Sequence, residues 1–170
     1  PDVMKEKTIL LFLMLICGVM SHAQEKVHVS EIEERNVGGK MILYANEVQY
    51  NGVVYENYSS PKLKYTVQNG LKNGSYELYY VNGQLNRKTS FQDDKYHGAY
   101  EEYYENGQLK EEVNYTNNKK NGVWSVYYEN GQLKESYFVL NKTRSGEHKA
   151  YYENGQLRMS GSYNEDGRES

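Results

Sequence analysis

One hexapeptide recurs along the chain at a fixed spacing and constrains the fold more than any other feature. Tyr-Glu-Asn-Gly-Gln-Leu occupies residues 104–109, 128–133 and 152–157, and Tyr-Val-Asn-Gly-Gln-Leu occupies residues 80–85, so the copies are 24 residues apart. A second series keeps the same period, and its members are Gly74, Gly98, Gly122 and Gly146. Self-similarity at a fixed period of this length is the signature of a repeat architecture.

Each repeat has the sequence pattern of a β-hairpin, which the unit that begins at Gly98 illustrates. Strand-forming residues cover 99–104 and again 109–115, with Asn106-Gly107 between the two runs. Asn-Gly in this position favours a two-residue type I′ turn, in which both central residues have positive φ. A helix is disfavoured because the apolar residues do not recur at intervals of three and four.

A two-residue turn fixes the register of the strands and the face on which each side chain lies. The cross-strand pairs that it predicts are Tyr104 with Leu109, Glu102 with Glu111, Tyr100 with Val113, and Gly98 with Tyr115. The same register places the other glycines of the second series opposite larger residues, namely Gly74 opposite Phe91, Gly122 opposite Val139 and Gly146 opposite Tyr163. We interpret these glycines as packing and curvature devices and not as phosphate-binding loops.

The segments between hairpins are rich in Asn, Asp and Lys and are predicted to be loops over 92–97, 116–121 and 140–145. Hairpins joined in this way stack on their neighbours. The predicted fold is therefore all-β, a single-layer antiparallel meander of tandem β-hairpin repeats of 24 residues.

Upstream residues are predicted to cap the array. Residues 24–51 form a lead-in with a first capping strand at 40–44, and 52–73 read as a degenerate unit in which Pro61 replaces the turn glycine. The array runs over 52–170, and its full units begin at residues 74, 98, 122 and 146.

Residues 1–23 have the pattern of a secretory signal peptide. Lys5 and Lys7 precede an apolar run over 9–20, and a small residue suited to signal peptidase ends the segment at Ala23. A transmembrane anchor is an alternative, although the run is shorter than the roughly 20 residues that span a bilayer. A lipoprotein is another, although the residue before Cys17 is not small.

Cleavage after Ala23 would remove Cys17, the sole cysteine, and leave no transmembrane segment. We expect an exported bacterial protein in the periplasm, the cell envelope or the medium. With 20 Lys and Arg against 23 Asp and Glu, the chain has no basic footprint for nucleic acid.

Catalytic and metal-binding patterns are not found in the sequence. No Ser/His/Asp or Cys/His constellation stands out, and the four histidines lack the spacing of metal ligands. We predict no enzyme activity, no cofactor and no metal site.

A row of tyrosines provides the candidate partner-binding site. Tyr79, Tyr103, Tyr127 and Tyr151 each stand five residues after a glycine of the second series. The register places them on the face opposite Tyr104 and its equivalents, across from Asn86, Lys110, Lys134 and Arg158. Either the rings and alkyl stems only cover each other and the sheet, or the row binds an extended protein segment or a glycan.

The recurring pattern Gly-x-(Tyr/Trp)-x3-Tyr-x-Asn-Gly-Gln-Leu-(Lys/Arg) resembles the MORN-repeat family, and more closely its bacterial variant. It is complete at 98–110 and 122–134, has His148 in place of the aromatic residue at 146–158, and departs at Asn86 in the first full unit. The resemblance covers about residues 52–163. It implies an array of hairpins that acts as an interaction or scaffold module, sometimes with membranes or through dimerisation. Proteins of this variant are often labelled YwqK-type antitoxins, which implies neutralisation of a partner protein.

Three functions follow from these observations. The one we expect is an exported, non-enzymatic protein-binding or scaffold module, with self-association through an open edge strand as one mode of binding. The alternatives are an antitoxin that neutralises a toxin protein and an envelope protein that binds carbohydrate or has a structural role.

Overall fold

A computed structural model describes residues 26–56 and 62–164, which form strands and one short 3₁₀ helix, Val29–Glu31. The N-terminal strands are β1 (Lys26–His28), β2 (Glu33–Val37), β3 (Lys40–Ala45), β4 (Val48–Gln49), β5 (Gly52–Glu56) and β6 (Leu63–Gln68). The strands of the repeats are β7 (Leu71–Tyr79), β8 (Leu85–Gln92), β9 (Lys95–Tyr103), β10 (Leu109–Thr116), β11 (Lys119–Tyr127), β12 (Leu133–Leu140), β13 (Thr143–Tyr151) and β14 (Leu157–Tyr163).

Most of these strands belong to one long, open sheet. Its 11 strands lie in the order β1-β5-β6-β7-β8-β9-β10-β11-β12-β13-β14. From β5 onward each strand pairs antiparallel with the next strand in the chain, whereas β1 pairs parallel with β5. The remaining strands form a second sheet, β2-β3-β4. The prediction of an all-β meander of tandem hairpins is confirmed.

The lead-in also contains strands. β3 covers the strand predicted at 40–44, and β5 and β6 form a hairpin within 52–73, with Gly52 opposite Val67. The corner of that hairpin, including Pro61, and the signal peptide predicted at 1–23 lie outside the described residues.

The predicted register is confirmed over most of each hairpin. Glu102 lies opposite Glu111, Tyr100 opposite Val113 and Gly98 opposite Tyr115. The other glycine pairs also match the prediction, with Gly74 opposite Phe91, Gly122 opposite Val139 and Gly146 opposite Tyr163. These glycines have positive φ and lie where the pairing between units is irregular. Such bulges bend and twist a strand, which agrees with their interpretation as curvature devices.

The prediction of a type I′ turn at Asn106-Gly107 is wrong. Of these two residues only Gly107 has positive φ, at 86°. The Gly107 amide donates a hydrogen bond to the Tyr104 carbonyl, and the Tyr104 amide donates one to the Gln108 carbonyl. The corner is therefore a three-residue loop, a type I turn followed by a glycine bulge, which is the next most common way to close a hairpin.

The longer loop changes the pairing nearest the corner. Leu109 lies opposite Tyr103, so the expectation that Leu109 pairs with Tyr104 and shares its face is wrong. A bulge at Lys110 then restores the predicted register at Glu111. All four full hairpins have this bulge, at Asn86, Lys110, Lys134 and Arg158.

The segments predicted as loops between hairpins are tight turns flanked by strand. Both residues have positive φ in Asp93-Asp94, Asn117-Asn118 and Asn141-Lys142, which is the signature of a type I′ turn. Asn and Asp tolerate this conformation better than most residues. The type I′ turn is therefore present in the fold, but it joins one hairpin to the next.

The core consists of two clusters along the sheet. Near the N-terminus Leu43 of the small sheet packs with Val54, Tyr65 and Val67 of the long sheet. Farther along, Val113, Tyr137, Val139 and Tyr163 form the second cluster. Rings contact their neighbours on this side of the sheet, which we call the aromatic face: Tyr65, Tyr76, Phe91, Tyr96, Tyr100 and Tyr115, then Trp124, Tyr137 and Tyr163.

Candidate partner-binding surface

The four tyrosines of the candidate site lie on the opposite side of the sheet, which we call the polar face. Hydroxyl groups of three of them donate to carboxylates: Tyr79 to Glu77 at 2.7 Å, Tyr103 to Glu101 at 2.8 Å and Tyr127 to Glu112 at 2.5 Å. The register continues this face to Tyr151, because Ser125 pairs with Ser136 and Ser136 with Lys149.

Each tyrosine of the row lies opposite a leucine of its own hairpin. The pairs are Tyr79 with Leu85, Tyr103 with Leu109, Tyr127 with Leu133 and Tyr151 with Leu157. We call these eight residues the Tyr–Leu band. All are partly exposed, and Leu157 is the most open at 55%. The leucines were not among the predicted site residues because their pairing depends on the turn type.

The predicted amine partners of the tyrosines are wrong. Asn86, Lys110, Lys134 and Arg158 are the bulge residues, so none lies directly opposite a ring of the row. The Lys110 ammonium lies 2.7 Å from a carboxylate oxygen of Glu102 and 5.9 Å from the ring centroid of Tyr104. Lys134 lies 5.4 Å from the ring of Tyr128. The bulge has turned both lysines to the aromatic face.

The environment of the tyrosine hydroxyls keeps them protonated. Burial, reinforced by the hydrogen bond to Glu77, raises the pKa of Tyr79 to about 12. Burial and the hydrogen bond to Glu101 raise the pKa of Tyr103 to about 12 as well. The pKa of Tyr127 is raised by burial and by its hydrogen bond to Glu112. The carboxylates therefore hold neutral rings in fixed orientations.

The adjacent tyrosine of each hexapeptide has a structural role instead. Its hydroxyl donates to a backbone carbonyl of the next unit, Tyr80 to Tyr103 at 2.6 Å, Tyr104 to Tyr127 at 2.8 Å and Tyr128 to Tyr151 at 2.8 Å. The turn asparagines do the same, Asn82 to Glu105, Asn106 to Glu129 and Asn130 to Glu153. These bonds explain why Tyr and Asn recur at fixed positions of the hexapeptide.

The paired carboxylates on the aromatic face are not arranged as a catalytic acid and base. Glu102 contacts Lys110 and Arg87, and Glu111 accepts hydrogen bonds from Lys120 and Trp124. Burial opposes ionisation of Glu102, but its hydrogen bonds outweigh burial and lower its pKa. Within the described part of the chain, no group of three or more His, Cys, Asp or Glu residues is placed to hold a metal ion. No helix found there is long and apolar enough to cross a membrane.

Comparison with known proteins identifies the repeat. A family model described as the MORN repeat variant matches residues 72–93, 96–117, 120–141 and 144–165, so the matched segments end and begin at the type I′ turns. A search of curated proteins found no match. MORN repeats are commonly protein- or membrane-interaction modules and are generally non-enzymatic. Because the matches cover more than half of the 170 residues, the chain belongs to the MORN repeat variant family.

Proposed function

We propose that this protein is an exported, non-enzymatic protein-binding module whose Tyr–Leu band holds the partner. The observation that carries the proposal is the repetition of one Tyr–Leu pair in four consecutive hairpins, on the face opposite the aromatic core. The common use of MORN repeats in protein interactions supports it.

The composition of the band suits binding. Tyrosine combines a large apolar ring with a polar tip and is enriched where proteins meet. Hydrogen bonds to Glu77, Glu101 and Glu112 hold three of the rings before any partner arrives. Such preorganisation reduces the entropy that binding would otherwise lose.

Affinity capture from an envelope extract of the source cells tests the proposal. The full chain, the double variant Tyr103→Ala/Tyr127→Ala and the control Tyr152→Ala serve as baits. Tyr152 is 53% exposed and lies outside the band, so its truncation controls for the loss of an exposed ring. We expect the wild type and the control to retain the same proteins and the double variant to lose them. Retention by all three baits would contradict the proposal.

Export is proposed from the sequence of residues 1–23 and needs its own test. We expect the protein recovered from source cells to start at Gln24 and to fractionate with the envelope or the medium. An intact N-terminus in the cytosol would instead favour the antitoxin function, in which the same band would neutralise a toxin protein. Binding to isolated cell-wall glycan that is lost in Tyr103→Ala/Tyr127→Ala would favour the carbohydrate-binding function.

Self-association through β14 is a second candidate function. In the described sheet β14 is the last strand, and Leu157 and Met159 on it are 55% and 37% exposed. An open edge strand can pair with a second copy. We expect sedimentation to show a concentration-dependent dimer that Met159→Lys weakens. A monomer at every concentration would remove this candidate.

A further inference from the structure

Consecutive tyrosines of the Tyr–Leu band recur once per hairpin, which fixes the distance between them. Tyr79, Tyr103 and Tyr127 each end the first strand of their hairpin, so two strand spacings separate each from the next. Neighbouring strands lie about 4.7–4.9 Å apart, which makes the period of the band about 9.5 Å. A ligand that runs along the band must present one contact group at that interval.

Among regular peptide conformations, polyproline II fits this period best. It has three residues per turn and rises about 3.1 Å per residue, so equivalent side chains recur about every 9.3 Å. A β-strand repeats its side-chain direction about every 6.7 Å. Two turns of an α-helix advance about 10.8 Å, which accumulates more than 1 Å of mismatch per hairpin.

The shape of the band also suits proline. Tyr79 and Tyr103 each bond to a carboxylate two residues back on the same strand, so these two rings lie along the strands and across the path of the ligand. Tyr127 instead bonds to Glu112 on the neighbouring strand β10. Leucines lie between successive rings. Grooves between aromatic ridges are the usual docking sites for polyproline II segments.

Carboxylates beside the band favour a basic ligand, although Lys88 of β8 lies opposite Glu101 in the register. Glu101 and Glu112 lie directly opposite each other on the polar face. Neither forms an ion pair with any residue in 26–56 or 62–164. They line a cleft of about 310 Å³ together with Ala99, Asn114 and Ser125. Glu101 stands two residues before Tyr103 on β9, a separation of about 6.7 Å along the strand. A lysine or arginine side chain of a ligand on the band is long enough to approach this carboxylate and its complementary charge.

We infer that the Tyr–Leu band binds a proline-rich segment of a partner protein, in the polyproline II conformation and carrying lysine or arginine. This inference rests on the proposed function and names the class of partner. The prolines pack between the rings, and the basic side chains approach Glu101 and Glu112.

Fluorescence anisotropy with labelled peptides tests the inference on the full chain. The probe is a peptide of four Pro-Pro-Arg triplets. A peptide of four Gly-Gly-Arg triplets keeps the charge without the conformation, and one of four Pro-Pro-Glu triplets keeps the conformation and reverses the charge. We expect the Pro-Pro-Arg peptide to bind at least about tenfold more tightly than either control, because its preformed conformation and its positive charge both contribute to affinity.

Two double variants distinguish the contribution of the tyrosine rings to binding from that of the carboxylate charge. Tyr103→Ala/Tyr127→Ala should weaken binding of the Pro-Pro-Arg peptide roughly tenfold, because two aromatic contacts are lost. Tyr152→Ala should leave it unchanged. Glu101→Gln/Glu112→Gln keeps the rings and should abolish the preference for Pro-Pro-Arg over Pro-Pro-Glu. Circular dichroism and thermal melting verify that each variant is folded. If the alanine variant does not fold, the glutamine variant still tests the inference.

The outcomes distinguish the inference from the function on which it rests. Equal binding of the Gly-Gly-Arg and Pro-Pro-Arg peptides, or binding unaffected in both double variants, would overturn the inference. If the Pro-Pro-Arg peptide fails to bind while Tyr103→Ala/Tyr127→Ala still loses its captured proteins, the inference is overturned and the proposed function stands. If the Pro-Pro-Arg peptide does not bind and Tyr103→Ala/Tyr127→Ala retains the captured proteins, the inference and the proposed function are both overturned.

Discussion

Adjacent tyrosines in each repeat have different roles, and the hydrogen-bond acceptor of each hydroxyl determines its role. Tyr103 lies on the polar face with its hydroxyl on Glu101, whereas the hydroxyl of Tyr104 donates to the backbone of the next unit. Tyr152 occupies the same position as Tyr104 in its own hexapeptide, but its hydroxyl has no acceptor among the described residues and its ring is 53% exposed. A comparison of Tyr104 with Tyr152 therefore measures the contribution of the hydrogen bond between units.

We predict that Tyr104→Phe lowers the free energy of unfolding by about 1 kcal/mol, the usual net contribution of one hydrogen bond. Tyr152→Phe removes a hydroxyl that has no acceptor among residues 26–56 and 62–164, and it should change the free energy of unfolding by less than about 0.5 kcal/mol. Urea denaturation of both variants provides the measurement. Equal effects at the two positions would show that the hydroxyl bond does not join the units.

The tyrosines of the polar face also make stability depend on alkaline pH. The pKa of Tyr103 is about 12 in the folded protein, against about 10 in an unfolded chain. A group whose pKa is raised on folding stabilises the protein fully below its unfolded pKa and loses that effect as the pH approaches its folded pKa.

We therefore predict that the free energy of unfolding falls between about pH 10 and about pH 12. Glu101→Gln removes the carboxylate that helps to raise the pKa of Tyr103 and should move the NMR titration of that ring to lower pH. Titration of Tyr103 at the same pH in both proteins would contradict the assigned cause.

Two kinds of turn alternate along the array, and each depends on different residues. Asn117-Asn118 forms a type I′ turn between hairpins, and the Asn118 side chain accepts a hydrogen bond of 2.8 Å from the Tyr96 amide. At the corner within the hairpin, Gly107 takes the left-handed conformation alone.

Asn118→Ala should lower the free energy of unfolding by about 2 kcal/mol, since it loses that hydrogen bond and strains a left-handed position. Asn117→Gly keeps the hydrogen bond and adopts positive φ freely, so we expect a change within about 0.5 kcal/mol. Thermal or urea unfolding compares the two. A larger loss from Asn117→Gly would contradict the proposed roles of these asparagines.

At this scale the sequence predicts the strands well and the turns poorly. The pairing of Glu102 with Glu111 and of each glycine of the second series with its partner is predicted from a two-residue turn. It is correct because the bulge at Lys110 compensates for the extra residue of the loop. Asn-Gly is compatible with a two-residue and a three-residue corner, and no residue type identifies Lys110 as a bulge. The same is true of the candidate site. The sequence predicts the face on which its tyrosines lie, but it does not predict that leucines lie opposite them.

The whole molecule is a linear array in which each hairpin contacts mainly its neighbours, so stability should vary along it. β10 pairs on both sides, whereas β14 pairs only with β13 in the described sheet. We predict that hydrogen exchange is slower in the strands from β8 to β12 than in the edge strands β1 and β14 of the described sheet. Equal protection along the array would indicate instead that it unfolds as a single cooperative unit.

The two faces of this sheet have different roles. The aromatic face carries the packed rings of the core, and the polar face carries the Tyr–Leu band that we propose binds the partner. Leucine and valine methyl groups distinguish the faces, because Leu109 and Leu133 lie in the band and Val113 and Val139 in the core. Methyl NMR spectra recorded while the Pro-Pro-Arg peptide is added to the full chain are the most direct test. We predict shifts at Leu109 and Leu133 with Val113 and Val139 unmoved. Shifts confined to the valines would contradict the account.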